Sequence, residues 1–195
     1  MLKVVWADHH REALNPKHWQ GFLPDHILKA WPRDKYLMVL CVGIVHSTGD
    51  SLGPLVGTEL LKRKVLDLNT TGVCGSLAEP VHLLNVLDTW RDIQQNYANF
   101  WTLVVDSALT QDVGLDNLQF GVGPSHPASG AGHNLPGVGE AALLGCVGLL
   151  SMPKLMHGAS LYKVHCLADA IVETILAISR ARAAGSETAL PFLQV

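Results

Sequence analysis

Two aspartates and one histidine-bearing loop carry the residue types that could do chemistry in this chain. Asp50 sits in GIVHSTGDSLGPLVG, residues 43–57, a glycine-flanked turn between an apolar run and an amphipathic one. Asp106 closes a second apolar run, FWTLVVDS. Carboxyl groups presented by neighbouring strand ends can share a proton or a metal ion. Sharing a proton lets one stay protonated while the other ionises, which is the acid and base of aspartyl hydrolysis. His126 and His133 lie in GPSHPASGAGHNLPGVG, residues 123–139, a stretch longer than an ordinary connection. An imidazole there can bind a metal, act as a base or orient a substrate. His46, inside the first turn, can contact a substrate.

Each position also has a purely structural role open to it. Thr48, Asp50 or Ser51 can cap a helix by accepting a hydrogen bond from a first-turn N–H, worth about 1 kcal/mol. Pro54 inside the first turn fits such a start. Asp106 can be a turn former in DSALT, and the 123–139 loop can be a plain surface connection. A nucleotide site is disfavoured. The chain has neither G-x-x-x-x-G-K-[ST] nor G-x-G-x-x-G in this turn, and a carboxylate there repels phosphate. It also lacks the G-x-S-x-G elbow of serine hydrolases, and the GDSL tetrapeptide stands without a late D-x-x-H element.

The elements that must position these residues follow from periodicity. KYLMVLCVG is a continuous apolar run ending at Gly43 and predicts a buried central strand. From Leu52 the period becomes helical, with Leu52, Leu55, Val56, Leu60 and Leu61 on one face. VLDLN, residues 65–69, predicts a second strand, and TTGVCGS a loop. Ser76 and Glu79 have capping-box spacing, so a helix is expected from there to about Tyr97, burying Leu83, Leu84, Leu87 and Trp90. FWTLVVDS predicts a third strand ending at Asp106, LQFGVG a fourth and EAALLGCVG a fifth. A long final helix, with a stripe from Leu161 to Leu176, stops at Gly185. Ahead of the first strand only a short helix in FLPDHILKAWP is expected. Alternating strands and helices imply an α/β fold with a mainly parallel sheet. In such sheets sites form beyond the carboxyl ends of the strands, where both aspartates and the 123–139 loop fall.

Composition narrows the function class. The chain has 195 residues, 48% hydrophobic and 16% charged, enough apolar material for one large core. A net charge of −3 with no basic run longer than three residues argues against nucleic acid as the partner. No apolar run reaches the roughly 20 residues of a membrane span. The start of the chain has no apolar signal-peptide core, so no secretory signal is expected there. Cys41, Cys74, Cys146 and Cys166 are widely spaced and read as reduced core residues.

Taken together, the three loops resemble the YyaC family of sporulation proteins, described as spore proteases. That family carries GTDRSTGDSLGPLVG after its first strand, an Asp ending its central strand, and a glycine-rich loop with L-P-x-V-G. The matching stretches here are GIVHSTGDSLGPLVG, VVDSAL and HPASGAGHNLPGVG, and the resemblance covers about residues 36–180. Val45 and His46 stand where the family has Asp and Arg. The germination protease of spores is similar at a P-D-A-L-G-P turn, a strand-ending Asp and an H-P-G-S-G-V-G loop. Its catalytic aspartates fall on Asp50 and Asp106, and its His-Pro pair on His126 and Pro127. The hydrogenase maturation peptidases resemble the chain at the same two acidic positions, where together with a histidine they hold nickel.

The resemblance implies a three-layer α/β/α sandwich like that of the hydrogenase maturation peptidases, a phosphorylase/hydrolase-like arrangement. It divides the chain into an extension at 1–35, one α/β domain at 36–185 and a tail at 186–195. It implies a sporulation-associated peptidase of aspartic type, with Asp50, Asp106 and His126 catalytic. His46, Ser47, Thr48, Gly49, Ser51, Gly130 and His133 would contact a protein or peptide substrate, such as a spore protein. No cofactor is required on this view, and the location is the cytoplasm of a sporulating bacterial cell. Two alternatives use the same residues. One is a maturation-type endopeptidase in which Asp50, Asp106 and His126 recognise nickel or zinc. The other, suggested by Val45 and His46, is a relative that binds a protein without cutting it.

Overall fold

The computed structural model describes residues 3–6, 22–63, 70–111, 115–127 and 132–185. The apolar runs form a six-stranded sheet in the order β1-β5-β6-β4-β2-β3. Here β1 is Lys3–Trp6, β2 Tyr36–Cys41, β3 Thr71–Cys74, β4 Phe100–Thr110, β5 Leu118–Val122 and β6 Ala141–Leu149. β3, β2, β4 and β6 pair in parallel, while β5 is antiparallel to both β6 and β1. The helices are α1 (Leu23–Ala30), α2 (Leu52–Lys62), α3 (Val86–Asn96) and α4 (Leu161–Gly185). The expected α/β fold with a mainly parallel sheet is thus present.

Strand alternation splits the core between the two faces of the sheet. Leu37, Val39 and Cys41 of β2 face α1, α2 and α4, which contribute Ile27, Val56 and Ile171 to one apolar cluster. Met38 and Leu40 of β2, with Val42 just beyond it, face the other way, toward Val86 and Ile93 of α3. The sandwich therefore has three layers, with three helices on one face and one on the other. Among the described residues no helix is long and apolar enough to cross a membrane. The four cysteines are free, with Cys41 and Cys146 buried and the other two half-buried.

Several elements depart from expectation. The strand expected at 65–69 lies outside the described residues, and Thr71–Cys74, expected as loop, is the edge strand β3. Its pairing with Leu37–Leu40 of β2 overrides the turn-forming look of TTG. A Cβ on Gly72 would come within 2.9 Å of Met38 Cε, so the glycine makes room for that side chain. The helix expected from Ser76 begins ten residues later. The Ser76–Glu79 exchange does form, with Glu79 N–H donating to Ser76 Oγ at 3.1 Å, but it closes an isolated turn. Pro80 disfavours helical backbone at Glu79. Val81 then bridges to Val42, and Asn85 closes a second turn by accepting from the His82 N–H at 2.7 Å. Leu84 is accordingly 84% exposed, while Leu87 and Trp90 pack against the core as expected. Leu161, read as part of the final helix's buried stripe, is also exposed.

The first 35 residues supply more than the one expected helix. β1 extends the sheet through its pairing with β5. Leu23, Ile27 and Trp31 lie in the larger apolar cluster. The Arg182 guanidinium of α4 stacks 4.1 Å above the Trp31 ring and donates to the Trp31 carbonyl at 2.8 Å.

Candidate functional site at the carboxyl ends of the parallel strands

The sheet order creates a crevice between β2 and β4. From β2 the chain leaves through α2 toward β3, whereas from β4 it continues to β5 and β6 on the other side. A strand pair whose connections diverge in this way is where α/β sheets bind ligands. β4 does not end at Asp106, as its apolar pattern suggested, but runs on to Thr110 against β6. What ends there is β2. Cys41 is opposite Val105, so Asp106 is the first β4 residue beyond the ladder to β2. It reaches the crevice because its neighbour has stopped.

The turn after β2 is folded hard onto the strand end. Gly43 N–H donates to the Val81 carbonyl at 2.8 Å, and Ile44 N–H to the Asp50 carbonyl at 3.1 Å. A Cβ on Gly43 would lie 2.0 Å from the Asp50 carbonyl oxygen, and one on Gly53 would lie 2.1 Å from that of Val42. Only glycine permits this backbone-on-backbone approach. It seats the first turn of α2 directly over β2 and fixes the base from which Asp50 projects.

The capping role does not occur. Ser51 is the N-cap residue, but no side chain caps the helix. The Ser51 hydroxyl instead donates back to the Thr48 carbonyl at 2.7 Å. The Asp50 carboxylate is left at the mouth of the crevice, with its side chain 25% exposed. A negative charge there is favoured by the positive end of the helix.

Its neighbour is His157, from a short 3-10 helix (Pro153–Gly158) that follows β6. The His157 Nδ1 is 2.8 Å from Ser47 Oγ and 3.7 Å from Asp50 Oδ2. Ser47 is only 2% exposed, so its hydroxyl acts as an anchor for the ring. A serine-protease relay would need Ser47 and Asp50 on opposite ring nitrogens. Both meet the same one, and Ser47 is too buried to attack a substrate. Sequence reading missed His157 entirely. The available signal was positional: β6 is a parallel strand beside β4, so the loop after it opens on the same crevice.

Asp106 has a different environment from Asp50. Burial pushes its carboxyl up to about 7, and the charge of Asp50 adds to that rise. A hydrogen bond from the Ser107 N–H to Asp106 Oδ1 at 2.7 Å pulls the other way without cancelling it. Two carboxyls thus face one crevice, and one of them keeps its proton near neutrality.

The described ends of the 123–139 loop are bonded to each other. Ser125 and Val138 exchange two backbone hydrogen bonds, at 2.9 and 2.8 Å, and Val138 is buried in the core. His126 is exposed, with Nδ1 3.3 Å from the Leu135 carbonyl of its own loop. His133 and His46 are exposed, Thr48 is half-buried, and Gly49 and Ser51 are buried. Gly130 lies outside the described residues. Among the described residues no three His, Cys, Asp or Glu side chains gather closely enough to hold a metal ion.

Comparison with known proteins places the chain. The model of the family described as "Protein of unknown function (DUF1256)" matches residues 7–174. Over 138 residues the chain is 37% identical to "Uncharacterized protein YyaC" of Bacillus subtilis (strain 168), covering 71% of this chain and 65% of that protein. The match thus spans just under two thirds of the relative's length. The chain belongs to this family, in agreement with the resemblance of its three loops.

Proposed function

We propose that this member of the DUF1256 family hydrolyses peptide bonds, with Asp50 as general base and Asp106 as general acid. The observation that carries the proposal is the Asp106 carboxyl, pushed up to about 7 by desolvation and by the charge of nearby Asp50. A carboxyl that keeps its proton toward neutrality can serve as the acid to a neighbouring carboxyl's base. Asp50, presented at the mouth of the crevice, takes the proton of an attacking water. Asp106 gives its proton to the scissile carbonyl or the departing amine. His157, anchored on Ser47, holds the Asp50 carboxylate in place and supplies a positive charge 3.7 Å away when protonated. The substrate is a polypeptide. The likeness to spore proteases makes proteins of the spore the first candidates and the cytoplasm of a sporulating cell the setting.

The test is cleavage of a denatured protein mixture by the purified full chain, read by mass spectrometry. New termini should appear with the wild-type protein and be absent with Asp50→Asn and with Asp106→Asn, both retaining native circular dichroism. Unchanged cleavage by both variants would remove the mechanism. Retention of intact proteins without cleavage would favour a binding role.

A further inference from the structure

We propose that the rim of this crevice selects a polypeptide segment with large apolar side chains next to the bond to be cut. This rests on the peptidase reading for the site but concerns which substrate the site accepts. Twelve large hydrophobic side chains are exposed among the described residues. Six of them fall in two segments, Ile44 and Val45 in the turn after β2, and Leu150, Met152, Leu161 and Tyr162 around the 3-10 helix. The other six are scattered over separate elements. The hydrogen bond between Ser47 and His157 ties the two segments together beside Asp50. Residues 44–51 and 150–162 contain just two charged side chains, Asp50 and Lys154.

Exposed apolar side chains gathered around a polar centre mark a binding surface, and depletion of charge is the compositional sign of one. Ile44 and Val45 stand in the turn that carries Asp50, and the Ser47–His157 hydrogen bond holds the second segment to that turn, so a chain lying across them is the one presented to the carboxyls. Val45 belongs to this rim, which gives a role to a residue that stands where the YyaC pattern has Asp. Apolar pockets discriminate by about 10- to 200-fold for small differences in side-chain bulk, so the preference should be readable in binding alone.

The experiment uses the full chain with Asp50→Asn and Asp106→Asn to bind a randomised peptide library without cutting it, alongside the wild-type protein at short contact times. Retained peptides should be enriched in Leu, Phe, Met and Tyr. Adding Val45→Asp with Leu161→Asp should weaken their binding at least about tenfold, while Leu84→Asp, the same kind of change on a remote exposed residue, should not. Enrichment of polar or acidic peptides, no retention of any peptide, or equal binding by all variants would overturn the proposal. So would concentration-dependent self-association that the rim changes abolish, since the surface would then join two copies of the chain. Apolar selection without cleavage by the wild-type protein would keep the rim and sink the peptidase. Cleavage without apolar preference would do the reverse.

Discussion

The two glycine-rich loops that look alike in sequence are built for different ends. In the turn after β2, an added Cβ at Gly43 or Gly53 would strike a backbone carbonyl at 2.0 or 2.1 Å. In the 123–139 loop, Gly132 has nothing within 4 Å, and Gly137 and Gly139 would meet the side chains of Pro124 and Val104 first. The first loop is clamped to the sheet and presents Asp50 to a partner from another element. The described ends of the second are bonded to each other through Ser125 and Val138, and His126 Nδ1 meets the Leu135 carbonyl. Glycine content does not separate a turn clamped to the sheet from one that is not. What the glycines allow to approach does.

The sharpest way to break this comparison is to remove the chemistry from the first loop and its neighbour strand. Asp50→Asn and Asp106→Asn should each lower peptide cleavage by roughly 100- to 10,000-fold, the usual contribution of a general acid or base. His133→Ala, in the second loop, should leave the rate within about twofold. Initial-rate measurements at fixed substrate decide this, and a His133 effect as large as that of either aspartate would put the chemistry in the wrong loop.

Stability probes the same contrast through backbone contacts. Gly53→Ala should cost about 3 kcal/mol, because a carbonyl oxygen cannot move aside as a side chain can. Gly132→Ala meets nothing and should cost about 1–2 kcal/mol for its left-handed backbone alone. Urea unfolding of the two variants measures the difference directly. Equal losses would mean that the turn after β2 is not clamped as described.

Asp106 adds a pH signature of its own. Its folded pKa of about 7 lies above the unfolded value of 3.8, so between these limits the folded state binds the extra proton. Stability should therefore fall as pH rises from about 4 to about 7 and level off above, with a ceiling near 4 kcal/mol. Asp106→Asn should flatten this slope and leave the protein about 2 kcal/mol more stable at pH 8, while inactive. Activity of the wild-type protein should decline as pH passes about 7 and Asp106 loses the proton it donates. A variant less stable than wild type at pH 8 would show that the half-buried carboxyl is not strained.

Much of this was legible in the sequence because it depends on local pattern. Continuous apolar runs gave β2, β4 and β6, the change of period at Leu52 gave α2, and the strand-end rule put both aspartates at one edge. What escaped depends on contacts distant in sequence. β3 exists because β2 offers it an edge, and β4 outruns Asp106 because β6 keeps pairing with it. The helix after Ser76 was displaced by Pro80 and by the bridge from Val81 to Val42. His157 carries no motif of its own. It is separated from Ser47 by 110 residues and becomes visible only when the order of the strands is known.

The smallest effect separates the two histidines. His157 reaches Asp50 through one ring nitrogen that Ser47 also holds, so its loss disturbs the placement of a carboxylate without removing it. His157→Ala should reduce kcat by about tenfold, the scale of one oriented polar contact of about 1.4 kcal/mol. Ser47→Ala should reproduce part of that loss, since its hydroxyl is the anchor of the ring, and should add little on top of His157→Ala. His126→Ala releases only the Leu135 carbonyl of its own loop and should shift the rate less than either. Measured as a double-mutant cycle, Ser47 and His157 should couple while Ser47 and His126 should be additive. The opposite pattern would place the working histidine in the second loop and restore the reading in which the His-Pro pair orients the substrate.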